Sequence, residues 1–138
     1  MTASRPAPFE RVTFLDEAIE DLKSVAARSQ AVLTEVFRLL KNLDAGTLTP
    51  QPLHDFAKTG DLSDCGKIVV ALPDEPEYRI VVKGEGGTFT ISEVIAVEDR
   101  TQDLPYLLAG LRLGRIQDPV RRSDAGRRVY RIRKMLDS

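Results

Sequence analysis

A chain of 138 residues, 42% hydrophobic and 30% charged, fits one compact domain able to bury a core without covalent staples. A single cysteine excludes an internal disulfide framework, and with only one histidine the sequence calls for neither a metal nor a cofactor. No apolar run approaches the roughly 20 residues that cross a bilayer, and the opening residues lack the apolar core of a secretory signal, so the expectation is a reduced, cytoplasmic protein with no membrane partner.

Residues 1–8, with prolines at 6 and 8, predict a disordered leader, and Phe9 to Phe14 a short strand. Asp16 reads as a helix N-cap. Leu15, Ala18, Ile19, Leu22, Val25 and Ala26 follow with the spacing of one buried helical stripe. A second stripe, Val32, Leu33, Val36, Phe37, Leu40 and Leu43, runs on to a stop at Gly46. The two stripes predict a helical hairpin or one long kinked helix. Residues 46–60, with Pro50 and Pro52, predict a connection pinned to the core by Leu53 and Phe56, with His54 packed or solvent-facing rather than acting as a base.

The β-branched runs from Lys67 to Leu72 and from Tyr78 to Lys83 flank Pro73-Asp74-Glu75-Pro76, a set of turn formers, and predict a β-hairpin. Strand alternation turns Lys67 away from Ile68 and Val70 and gives Arg79 and Lys83 a common face. That face is either a fixed cationic surface with a use or an ordinary solvated side. Gly84-Glu85-Gly86-Gly87 predicts a second turn, leading into a third strand over residues 88–97. Because a strand and not a helix follows, these glycines do not form a phosphate loop. Asp103 reads as the cap of a further helix with Pro105 in its first turn and Leu107, Leu108 and Leu111 inward.

Charge is unevenly distributed. Residues 1–111 hold 11 Lys and Arg against 18 Asp and Glu, and residues 112–138 hold 9 against 3. Val129, Ile132, Met135 and Leu136 recur at helical spacing in this last segment, predicting a basic amphipathic helix. Its arginines, Arg121, Arg122, Arg127 and Arg128 among them, suit nucleic-acid phosphates, an acidic partner, or the acidic body of the chain itself. The order strand, two helices, three-strand meander and helix describes an α+β domain with its helices on one face of a mainly antiparallel four-stranded sheet.

Over residues 9–113 the chain resembles the RelE/ParE superfamily of bacterial toxins. The resemblance is carried by Gly60-Asp61-Leu62-Ser63-Asp64-Cys65-Gly66-Lys67-Ile68, by Tyr78-Arg79-Ile80-Val81, and by Val94-Ile95-Ala96-Val97 followed by Arg100 and Tyr106. Residues 114–138 form an extension beyond it. The resemblance implies a helical hairpin and a C-terminal helix on a twisted sheet. It also implies a toxin that cleaves messenger RNA at the ribosome without a metal, silenced in a hetero-oligomer with a cognate antitoxin. Lys67, Arg79, Arg100 and Tyr106 match the catalytic positions of RelE-like nucleases, with Lys83 and the tail arginines as further RNA contacts. Arg79 and Arg100 would then hold phosphate, Lys67 would supply charge or a proton, and Tyr106 would stack on a base. The chain departs from the pattern at Val69, where those nucleases carry a second lysine, and at Glu98 and Asp99, which precede Arg100 and offer themselves instead as acid or base. Alternatives within the fold are a ParE-like inhibitor of DNA gyrase and a catalytically weakened binding module.

Overall fold

The computed structural model describes residues 9–138; the leader expected over residues 1–8 lies outside the described residues. The chain opens with β1 (Val12–Phe14), then α1 (Asp16–Arg28) and α2 (Gln30–Asp44). Ser29 decides between two helices and one kinked helix. Its backbone is extended, its N–H donates to the Val25 carbonyl at 2.8 Å, and its Oγ accepts from the Val32 N–H at 3.2 Å. One residue thus closes the first helix and caps the second. Asp44, at the end of α2, accepts from the N–H groups of Arg11 and Val12 at 2.6 and 3.1 Å, which ties β1 to the helical hairpin. Asp16 is not the predicted cap: α1 begins at that residue, and Leu15 precedes it without a side-chain cap.

The connection carries three two-residue strands, β2 (Gln51–Pro52), β3 (Asp55–Phe56) and β4 (Gly60–Asp61), the last two forming a small ribbon. The long strands follow as β5 (Cys65–Val70), β6 (Tyr78–Gly84) and β7 (Ser92–Asp99), then α3 (Leu104–Arg112) and α4 (Pro119–Leu136). The main sheet has five strands rather than the expected four, in the order β1-β7-β6-β5-β2, and is antiparallel except where β1 runs parallel to β7. β2 joins because Gln51 and Pro52 pair with Lys67 and Gly66 at the edge, where a proline is tolerated.

Helices cover both faces of this sheet, not one. Ile68, Val70, Tyr78, Ile80, Val82, Val94 and Val97 pack with the stripes of α1 and α2. Cys65, Val81, Ile95 and Ala96 pack with Leu104, Leu108 and Ala109 of α3, with Ile132 of α4, and with Leu53 and Leu62. A register shift opposite Val81 and Val82 lets the neighbours Ile95 and Ala96 both serve the second core. Two glycines allow the ribbon to close on this layer. A Cβ on Gly110 would lie 2.3 Å from the Thr59 carbonyl oxygen, and one on Gly60, whose φ is +79°, would lie 2.1 Å from that of Arg115.

β1 shields β7 only from Ser92 to Val94, leaving the rest of that edge to side chains. The Val97 N–H donates to Asp21 Oδ2 at 3.0 Å, and the Ile95 carbonyl accepts from Arg112 Nη1 at 2.9 Å. Asp21, 1% exposed, also binds Arg112 and Arg133, each at 2.6 Å. Glu98, fully buried, is held by Arg28 at 2.5 Å and by Arg133 at 3.3 Å. Buried carboxylates persist only when paired, and this network joins α1, α3 and α4 around the sheet edge. Among the described residues no helix is long and apolar enough to cross a membrane.

Candidate functional site

Arg79, the second residue of the central strand β6, stands on the face that α3 and α4 cover in part, opposite Val69 on one side and Glu98 on the other. It is 9% exposed. Its Nη1 donates to Glu77 Oε1 and, at 3.3 Å, to the Tyr78 carbonyl, while its buried Nε has no hydrogen-bond partner among the described residues. The Arg100 N–H donates to the Glu77 carbonyl at 3.0 Å, so the ladder between β6 and β7 runs one step past the strands and brings Arg100 level with the start of β6. Gln102 and Asp103 then adopt left-handed backbone, φ 50° and 62°, and turn the chain sharply into α3. That corner directs Tyr106 back toward the two arginines. Burial pushes the Tyr106 hydroxyl up from its ordinary value and Asp103 adds to this, while Arg79 and Arg100 pull it down; the net shift is upward, and the phenol is neutral at pH 7.

Three of the four residues matched to the nuclease pattern therefore converge, and the fourth shares their face. Lys67 lies opposite Val81 and is the next residue on that face after Val69, which makes it the diagonal neighbour of Arg79, about 7–8 Å away along the sheet. Val69, 38% exposed, fills the position beside Arg79. Lys83 has the same orientation but sits about 13 Å along β6 from Arg79, in a separate hollow with Asp64, Glu85 and Glu93.

Glu98 and Asp99 are not available as acid or base. Glu98 is enclosed by Arg28 and Arg133, and Asp99, 5% exposed, accepts from the N–H and hydroxyl of Thr101 at 2.8 and 2.5 Å. Both carboxylates are committed to structure. The carboxylates that do meet the cluster are Glu77 and Asp103. Asp103 makes no helix-cap hydrogen bond, contrary to its sequence reading, and instead faces Lys58 at 3.6 Å.

The tail is a helix packed on α3 through Ala125, Val129 and Ile132. Three of the nine cations in residues 112–138 are held by the acidic body: Arg112 and Arg133 by Asp21, and Arg115 by Asp64 at 2.8 Å. Arg127 pairs with Asp124 on its own helix, Arg121 reaches the Ala57 carbonyl at 3.4 Å, and Arg122 turns to the carbonyls of Ile116 and Gln117. Arg128 and Arg131 are exposed and make no hydrogen bond or ion pair with the described residues.

The sequence singles out neither Glu77 nor Lys58, and it places Arg131 in the basic helix but not among the expected RNA contacts; Phe56, expected to pin the connection to the core, is 39% exposed beside Tyr106. Lys58 and Phe56 sit on a ribbon with no periodic signal, so only the folded chain brings them here. Arg131 was findable, since it follows Arg128 by three residues in a helix. Comparison of the chain with protein-family models, with characterised proteins and with solved structures finds no match.

Proposed function

We propose that the protein is the toxin of a toxin-antitoxin pair, of RelE-like fold, that cuts messenger RNA at the ribosome. The observation that carries this reading is the meeting of Arg79 and Arg100 at the neutral phenol of Tyr106, with an unpartnered buried Nε on Arg79. The helical hairpin, the meander and the helix starting just before Tyr106 support the same reading. A guanidinium nine-tenths buried with a spare donor, next to an exposed one, suits the non-bridging oxygens of a phosphodiester.

In this scheme the ribose 2′-oxygen attacks the adjacent phosphorus, its proton passes to Glu77, and the bond to the 5′-oxygen breaks as that oxygen takes a proton from Lys67. The products are a 2′,3′-cyclic phosphate and a free 5′-hydroxyl. Arg79 and Arg100 stabilise the charge that builds on phosphorus. Tyr106, kept neutral, stacks on or donates to the reacting nucleotide and takes no part as a base.

Induced expression followed by mapping of messenger 5′-ends tests this. Expected are growth arrest and codon-phased cuts, with the rate of cutting lowered by about 10²–10³ in Arg79→Ala and in Arg100→Ala. Intact messenger with signs of DNA damage would point to gyrase instead. Val69 favours a second reading, binding without cleavage, because it puts a methyl-bearing side chain where a second proton-transfer group would stand. Tight RNA binding by a chain that cuts nothing would select it.

A further inference from the structure

Two hollows adjoin the Tyr106 corner and share Ala57 and Lys58. The first, about 370 Å³, lies between the rings of Phe56 and Tyr106 with Asp103 at its rim. The second, about 440 Å³, runs between Lys58 and α4, floored by Leu107 and lined by Arg121, Asp124, Arg128 and Arg131. We propose that the two form one track for single-stranded RNA, in which Lys58, Arg128 and Arg131 take phosphates and the Phe56–Tyr106 hollow takes one unstacked base. The choice of RNA rests on the function proposed above; the track itself rests on the residues.

The cations are suited by what they lack. Arg128 and Arg131 have no partner among the described residues, whereas Arg127 beside them is matched by Asp124. They lie one helical turn apart, so both reach the same strand of phosphates. Lys58 joins them from the opposite wall, its one ion pair among the described residues the 3.6 Å contact with the half-exposed Asp103. An aromatic slot at the end of a cationic groove is how single strands are held without sequence readout: the backbone follows the charge and a base stacks on a ring. A duplex keeps its base faces covered and offers nothing to the slot. An acidic peptide would satisfy the arginines but leave the slot unexplained.

The test uses the full chain and a fluorescent single-stranded RNA of roughly ten nucleotides, 2′-O-methylated so that it is bound but never cut, titrated over a series of salt concentrations. The triple variant Lys58→Ala, Arg128→Ala, Arg131→Ala is expected to weaken binding at least tenfold and to reduce the slope of log affinity against log salt by about 2. Phe56→Ala is expected to weaken binding about tenfold with the slope unchanged, and a duplex of the same sequence to bind less tightly than the single strand. Circular dichroism confirms that each variant is folded. An unchanged slope in the triple variant, undiminished affinity in Phe56→Ala, or tighter binding of polyglutamate than of RNA overturns the track. A chain that binds the oligonucleotide through these residues yet cuts no messenger supports the track and sinks the nuclease. A chain that cuts messenger while the triple variant keeps its slope sinks the track alone.

Discussion

Arg79 is the residue at which stability and use are opposed. Holding a guanidinium nine-tenths buried with Nε unpaired costs about 1–3 kcal/mol for the unsatisfied donor. Arg79→Met keeps the apolar stem against the second core and removes that donor. The variant is expected to melt at or above the temperature of the parent chain while losing the phosphate site, as at other sites where function is maintained against folding. A fall in melting temperature of many degrees would show that the pair with Glu77 stabilises the fold and that the free donor carries no cost.

At the scale of elements, the contact between Asp64 and Arg115 links the start of the hairpin to the segment joining α3 and α4. Hydrogen bonds from Arg115, helped by its charge, hold the Asp64 carboxyl below its ordinary value in spite of partial burial. A depressed folded pKa means that the stabilisation is complete above the unfolded value, about 3.9, and is lost as pH falls through the folded value. Asp64→Asn is therefore expected to cost about 1 kcal/mol for this partly exposed pair, equally at pH 7 and pH 5, with the gap to the parent chain closing only below about pH 4. Chemical denaturation at several pH values reads this directly, and a gap that widens toward acid would contradict the assignment. The elements themselves were legible beforehand because their signals are local: periodic apolar residues marked α1, α2 and α4, and β-branched runs marked β5 and β6. The ribbon of β3 and β4 was not legible, since two-residue strands carry no period and depend on Gly60 and Gly110 for their close approach.

For the molecule as a whole, α4 is a structural member and not an appended tail. Ile116, Ala125 and Ile132 are buried, and Arg133 neutralises two interior carboxylates, Asp21 and Glu98. Removing residues 114–138 strips Leu107 and Leu108 of cover and leaves those carboxylates with fewer cations, a loss of several kcal/mol. The truncated chain is expected to lose its cooperative thermal transition and to be digested rapidly by protease. A truncated form that melts within a few degrees of the full chain would make the helix accessory. For the same reason the role of the basic residues in binding is tested by point substitutions and not by deletion.

The amino-acid order alone determined the α+β class, the hairpin, and the facing of Lys67, Arg79 and Lys83, because strand and helix periods are set by backbone geometry. Which arginines remain free was decided only by the tertiary structure. Arg112, Arg115 and Arg133 meet carboxylates 91, 51 and 112 residues away, while Arg128 and Arg131, drawn from the same basic stretch, meet none among the described residues. The pairing of a charge depends on which distant element folds against it, and no local pattern encodes that.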